Sequence, residues 1–155
     1  MHSWNAIHSK RDIQNLLEAY GGFHDACLVD VFYRSGARVT DQNAMVFGPS
    51  DDHVMFMTFH SQWHKEPLEL CFTGVKRCNI VGFQSNYSSE ILDCYLAFHT
   101  DLITGHDDPL IVWADYAGFS PYSDSESAFL SEPATTYVVA EKMKWRFVSV
   151  QQKNN

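Results

Sequence analysis

Residues 20–33, YGGFHDACLVDVFY, join two sequence patterns, and this junction decides the fold. Before it, apolar residues recur at the three- and four-residue spacing of an amphipathic helix over about residues 9–20. These are Ile13, Leu16, Leu17 and Tyr20. After it, from Ala26 to Arg34, side chains alternate with the period of two that is typical of a strand. The double glycine can adopt the left-handed conformation that ends a helix, so we predict that the chain passes directly from helix to sheet.

His24 and Asp25 stand at this junction and allow three interpretations: a catalytic base with its orienting carboxylate, part of a ligand site, or a structural turn. Adjacent residues of a strand point to opposite faces, so a direct relay between the two is disfavoured. A carboxylate in a turn commonly accepts backbone N–H bonds. We therefore expect structural roles, with Asp25 holding the turn and His24 connecting the helix to the sheet while it packs on Phe23.

Further along the chain, turn signals alternate with short apolar runs of strand length. The predicted strands cover residues 53–60, 68–73, 78–83, 91–100, 110–116 and 137–147, with Gly74 as an interruption between the second and the third. The last strand should bury one face and expose a basic face that guards an edge. Its predicted buried residues are Tyr137, Val139, Met143, Trp145 and Phe147, and its basic residues are Lys142, Lys144 and Arg146.

These elements predict an α+β fold, in which an N-terminal helix packs on a curved, mainly antiparallel sheet or partial barrel of about seven strands. We expect a single domain over residues 1–155, with the sheet over about 26–150 and a frayed tail at 151–155. Residues 118–133 are rich in Ser, Asp, Glu and Pro, which predicts a long loop with at most one helical turn at 126–130.

Composition narrows the classes of function. The chain has 11 Lys and Arg against 19 Asp and Glu, a net charge of −8, which argues against direct nucleic-acid binding and favours a basic partner. No apolar run reaches the length of a signal peptide or membrane span, so we predict no membrane contact and a cytoplasmic location. The four cysteines, Cys27, Cys71, Cys78 and Cys94, lack metal-type spacing and are expected to be reduced and mostly buried.

Motifs for catalysis are weak. The chain has no nucleophile-elbow or phosphate-loop motif, and His60 and His64 have metal-type spacing without the glutamate of a metalloprotease. We therefore predict no catalytic residue, metal or cofactor. The alternative function is a small ligand- or metal-binding barrel, or a small enzyme, in which His24, His60, His64 or His99 lines a pocket inside the curved sheet.

Charge is segregated along the chain. Residues 78–140 contain nine acids and no Lys or Arg, and Trp113, Tyr116, Phe119 and Tyr122 lie among the acids. Two interpretations stay open: scattered acids around core aromatics such as Trp113 and Tyr116, or an acidic, aromatic surface that meets a basic protein. The spacing does not support a hard-cation site. The candidate partner-binding residues are Asp101, Asp107, Asp108, Tyr122, Asp124 and Glu126.

The helix, the segment FHDACLVDV at 23–31 and the segment LELCFTGVKRCNI at 68–80, followed by a polar break and Ile91, resemble a group of small bacterial α+β domains. This group includes immunity proteins encoded beside polymorphic or contact-dependent toxins, and the resemblance covers residues 9–117. It implies a cytoplasmic protein that binds a toxin domain and blocks it. The acidic stretch would suit a basic nuclease as that toxin.

Overall fold

The structure is a computed structural model, and it describes residues 3–82, 88–122 and 135–149. In chain order, the elements are β1 (Asn5–Ile7), α1 (Lys10–Ala19), β2 (Ala26–Arg34), β3 (Arg38–Val39), β4 (Met45–Val46), β5 (Val54–Ser61), β6 (Leu68–Asn79), β7 (Glu90–Ile91), β8 (Tyr95–His99), β9 (Leu110–Ala114) and β10 (Tyr137–Phe147).

One strongly curled antiparallel sheet dominates the described part of the chain. Its strands follow the order β7-β2-β5-β6-β10-β9-β8, with β1 added beside β10, and α1 packs against it. Every strand pair is antiparallel. The predicted α+β class, with one N-terminal helix on a partial barrel, is confirmed.

The start of α1 is fixed by a reciprocal cap. The Asp12 N–H donates to Ser9 Oγ at 3.2 Å, and Ser9 Oγ donates to Asp12 Oδ2 at 2.8 Å. The bond from Ser9 and a second from the His8 N–H lower the pKa of Asp12, because both stabilise the carboxylate. After this cap, Ile13 and Leu16 of the helix are buried in the core.

The helix ends in a short left-handed turn. Gly21, Gly22 and Phe23 have φ values of +61°, +65° and +66°, which reverse the chain within three residues. Phe23 is fully buried, and its ring lies 5.3 Å from the ring of Phe59 and 5.7 Å from that of Trp113. The turn therefore inserts an aromatic ring between β5 and β9.

β7 and β8 belong to one stretch of chain that reaches both ends of the sheet. β7 pairs with Ala26 and Cys27 at the start of β2, whereas β8 pairs along its length with β9. Three residues separate the strands, and an extended chain crosses at most roughly 14 Å between Ile91 and Tyr95. The two edges of the sheet therefore approach each other here, and the sheet forms a half-barrel. The single strand predicted over residues 91–100 is instead two strands, β7 paired with β2 and β8 paired with β9.

Strands β6 and β10 exchange their buried faces halfway along. The paired core residues are Leu68–Phe147, Leu70–Trp145, Phe72–Met143 and Val75–Ala140. Along a regular strand, every second side chain returns to the same face. Between the pair Phe72–Met143 and the pair Val75–Ala140, however, each strand advances by three residues, so the alternation beyond this point is inverted. Tyr137 and Val139 consequently join a second cluster, apart from the main core. The prediction that Tyr137 and Val139 share one buried face with Met143 is therefore wrong, because one extra residue in each strand inverts the alternation.

Gly74 lies at this exchange. Its φ is +69°, and the N–H groups of Gly74 and Val75 both donate to the His53 carbonyl, at 2.9 and 3.2 Å. Burial raises the pKa of the facing Glu141, but the hydrogen bonds and charges of its neighbours, chiefly Lys76, whose Nζ is 2.6 Å away, together outweigh burial, so the pKa is lowered. Gly74 does not interrupt the strand as predicted, because β6 continues through it to Asn79.

Two further features differ from the sequence-based prediction. β10 is not an edge strand, because it pairs with β6, β9 and β1, so its basic residues do not guard an edge. β3 and β4 form a separate two-stranded hairpin whose Val39 and Met45 are exposed. The predicted tail at 151–155 and helical turn at 126–130 lie outside the described residues. None of the helices in the described ranges has the length and apolar character that a membrane crossing requires.

We predict that Gly74→Ala lowers the free energy of unfolding by at least about 2 kcal/mol, because left-handed backbone is costly for residues with a Cβ. In addition, that Cβ would lie 2.8 Å from the Cβ of Glu141. Urea denaturation measures the loss. Gly82→Ala is the matched control, since among the described residues no heavy atom other than those of its chain neighbours lies within 4 Å of its added methyl. Equal stabilities of the two variants would contradict this account.

Candidate functional site

His24 and Asp25 hold neighbouring segments together. His24 donates from Nδ1 to the Leu92 carbonyl at 2.8 Å, which ties the turn to the residue after β7. Asp25 has a φ of +54°, and its Oδ2 accepts a hydrogen bond from the Trp63 indole at 2.7 Å. The Asp25 carbonyl also accepts from the Gln62 N–H at 3.1 Å. The pair thus connects the helix exit to the residues that follow β7 and β5.

The histidines named for a pocket occupy different environments. His60 is exposed at the end of β5, whereas His64 stacks on Phe147 at a ring distance of 6.0 Å and contacts Tyr20 at 5.1 Å with the rings tilted. A cleft of about 340 Å³ lies beside β2, and no histidine is among its described lining residues. Within residues 3–82, 88–122 and 135–149, no three His, Cys, Asp or Glu side chains are grouped to hold a metal.

The cysteines are free thiols, and most are poor nucleophiles. Cys71 is buried, Cys27 and Cys94 are half-buried, and Cys78 is exposed. Burial raises the pKa of Cys71 and Cys78, and it raises the pKa of Cys94 to about 12. These three thiols therefore hold their protons at neutral pH, which leaves little of the reactive thiolate.

The acidic candidates lie on the turn between β8 and β9, residues 100–109, which we call the acidic turn. Asp101, Asp107 and Asp108 are all exposed. In the described ranges, neither Asp107 nor Asp108 forms an ion pair, whereas Asp51, Glu69 and Glu141 pair with the Lys or Arg residues of β6 and β10. Asp124 and Glu126 lie outside the described residues.

Tyr122 is joined to the acidic turn by a chain of hydrogen bonds. Its hydroxyl donates to Asp101 Oδ1 at 2.7 Å, and the same oxygen lies 2.9 Å from His99 Nδ1. His99 Nε2 is 2.7 Å from the Tyr95 hydroxyl. A neutral imidazole with its proton on Nδ1 satisfies every partner, because Tyr95 then donates to Nε2 and Nδ1 donates to Tyr122.

This hydrogen-bonded chain is anchored on the second apolar cluster. Tyr95 packs against the edge of Phe119 at 5.9 Å, and Phe119 stacks on Tyr137 at 5.0 Å. Leu110 and Val112, both buried, form the floor of the cluster. The rigid sheet therefore fixes Tyr95 and His99, while Tyr122 remains 56% exposed at the outer end.

The arrangement changes the acidity of both phenols. The hydrogen bond to Asp101 raises the pKa of Tyr122, because an ionised phenol would lose that bond and face a carboxylate. Burial raises the pKa of Tyr95. Both phenols are therefore neutral at physiological pH and able to donate.

The four aromatics of the acidic stretch divide between core and surface. Trp113 is fully buried, and Phe119 packs on the second cluster, so these two stabilise the fold. Tyr116 and Tyr122 are exposed. The sequence-based prediction did not include the hydrogen bonds of Tyr95 and His99 at this site. Their spacing of four residues on one strand places them on the same face and could have indicated the contact.

No family model, no curated protein and no solved structure matches this chain. The fold and the site define an α+β half-barrel with an exposed tyrosine tied to an acidic turn. The resemblance to the immunity group stays a prediction.

We predict that Asp101→Asn moves the pKa of Tyr122 back toward its usual value of about 10, because the carboxylate is removed. NMR of ring-labelled tyrosine measures the titration. Asp93→Asn is the control, since Asp93 accepts from the Ala117 N–H and not from Tyr122. A raised folded-state pKa means that the contribution of this bond to stability is present at neutral pH and disappears as the pH rises past that pKa. An unchanged titration in Asp101→Asn would rule out the hydrogen bond as the cause.

Proposed function

We propose that this protein is a non-enzymatic binding module of the immunity type, which neutralises a basic toxin or nuclease domain by holding it on the acidic turn and Tyr122. The observation that carries the proposal is Tyr122 itself: an exposed aromatic side chain fixed by hydrogen bonds to Asp101 and His99. Asp107 and Asp108 of the acidic turn form no ion pair within the described ranges. Tyrosine is enriched among the residues that dominate binding energy at protein interfaces.

Preorganisation makes this surface suitable for binding. An exposed side chain normally loses rotamer freedom when a partner immobilises it, and that loss weakens the complex. The bonds to Asp101 and His99 already restrict the Tyr122 ring in the free protein. A partner that packs on this ring therefore meets a smaller entropic cost.

Charge provides the second contribution. Asp107 and Asp108 project from the same turn without ion pairs in the described ranges, so their field extends into solvent. Such a field accelerates the encounter with a basic domain and disfavours acidic partners. The net charge of −8 acts in the same direction and opposes direct contact with nucleic acid.

The mode of action follows from this complementarity. Nucleases present basic clefts to their substrate, because the phosphate backbone is recognised largely by Lys and Arg. An acidic protein seated over such a cleft excludes the substrate without any chemistry of its own. The proposal includes a cytoplasmic location, which the four free cysteines support because a reducing compartment keeps thiols unpaired.

The test compares capture of basic proteins by immobilised wild-type protein and by the double variant Asp107→Lys/Asp108→Lys. We expect wild type to capture a basic protein from lysate of the source organism at low salt and to release it at high salt, as read by mass spectrometry. The variant should bind the purified partner with an association rate at least about tenfold lower, because two attractive charges become repulsive.

The matched control is Glu18→Lys/Asp41→Lys, which changes the net charge equally at exposed sites on α1 and the β3–β4 hairpin. It should retain capture. Equal loss in both variants would show that only net charge matters, and unchanged binding by the Asp107/Asp108 variant would remove the acidic turn from the interface. Inhibition of the captured partner's activity by the wild-type protein then separates an immunity function from simple binding.

A further inference from the structure

The outer part of β2 is a strand edge that has no second partner strand in the described part of the chain. β2 pairs with β5 from Ala26 to Arg34, with a register shift at Val29, but on its other side β7 pairs only with Ala26 and Cys27. Residues 28–34 therefore have a strand neighbour on one side only within the described ranges. Unpaired edges of this length are templates for another strand, because every second residue directs its N–H and C=O groups outward.

This edge is also apolar. Val29, Phe32 and Tyr33 are each about half exposed, at 48%, 52% and 48%. Phe32 lies on the outer face, where its ring is 6.3 Å from that of Phe56, and Val31 packs against the core from the inner face. A partner strand here would cover apolar surface on both faces as well as satisfy the backbone.

The charges on the edge are arranged symmetrically. Asp30 and Arg34 are exposed, and each is two residues from Phe32 on the same face. The Arg34 guanidinium lies 5.7 Å from the centre of the Phe32 ring, which confirms that these two side chains share the outer face. The edge therefore presents an acid, an aromatic ring and a base in a row.

We propose that β2 pairs with β2 of a second copy of this chain, antiparallel and centred on Phe32. In that register, Phe32 faces Phe32 of the other copy, and each Asp30 faces an Arg34. On the inner face, Val31 faces Tyr33. Opposite charges and aromatic pairs directly across two antiparallel strands are stabilising, so one dimer gains two ion pairs and one ring pair.

Neighbouring registers are disfavoured. A two-fold axis perpendicular to the sheet keeps outer faces continuous only when the pairing is centred on a residue. Centring on Asp30 or on Arg34 places like charges opposite each other, which is destabilising. Centring on Val31 or Tyr33 leaves both charges opposite uncharged residues. Charged residues usually protect a strand edge from pairing. On this edge, by contrast, the two charges favour one self-complementary register.

The test is a charge swap read by sedimentation equilibrium over a wide concentration range. We expect wild type to dimerise, and we expect Asp30→Arg and Arg34→Asp each to raise the dimer dissociation constant roughly thirtyfold, since the two-fold axis makes each substitution act twice. The double variant Asp30→Arg/Arg34→Asp restores opposite charges and should recover dimerisation. That recovery also shows that neither substitution damages the fold.

Arg38→Asp, an exposed charge reversal on β3, is the control and should leave dimerisation unchanged. Phe32→Cys in a Cys78→Ser background, which removes the exposed native thiol, should form a disulfide-linked dimer on mild oxidation. Wild type that remains monomeric at every concentration would overturn the proposal. So would a dimer that both single reversals leave intact, or a monomer whose β2 edge instead binds a strand of another protein.

Discussion

The contact on which the rest of the structure depends is the triangle of Phe23, Phe59 and Trp113. Phe59 and Trp113 belong to strands that are separated by β6 and β10 in the sheet, yet their rings lie 5.1 Å apart. Flat sheets keep such strands about 14 Å apart, at roughly 4.8 Å per strand step. The sheet must therefore curl until its inner faces meet, and Phe23 from the helix exit fills the interior at this point.

This constraint explains why the left-handed turn after α1 matters. Phe23 is a non-glycine residue at positive φ, a conformation that costs about 1–2 kcal/mol. Burial of a complete aromatic side chain among other rings more than offsets that cost. The turn then delivers β2 directly to the sheet edge. His24 and Asp25 fix the neighbouring segments by bonding to Leu92 and Trp63.

The class of fold and the bounds of α1 could be predicted from the sequence, because helical and strand periods are local properties of the side chains. The course of β6 and β10 could not. There, one residue without a Cβ lets two paired strands exchange faces together, and the alternation of residues 137–147 carries no mark of the exchange. β1 escaped prediction for a related reason: its three residues pair with β10, which is distant in sequence.

The acidic turn was evident from charge segregation, but its connection to Tyr95 and His99 was not. Tyr122 meets Asp101 across 21 residues of sequence, three residues after Phe119 packs onto Tyr137. Long-range packing of this kind is decided by the curvature of the sheet and not by local pattern. Trp113 shows the converse. It stands in the acidic stretch of the sequence, yet it belongs to the core because β9 is buried on both faces.

The two proposed surfaces rest on different physics, and this difference determines how each responds to conditions. The field of the acidic turn acts through solvent, where salt screens it within about 8 Å at physiological ionic strength. Pairing along β2 would combine backbone hydrogen bonds and apolar contact, which salt affects little, with two cross-strand ion pairs, which salt weakens. A partner held by the acidic turn would therefore dissociate at high salt, while a β2-paired dimer would lose only part of its stability. If both proposals hold, the chain would exchange its partner without changing its own assembly, since Asp107 and Asp108 take no part in the proposed β2 contact.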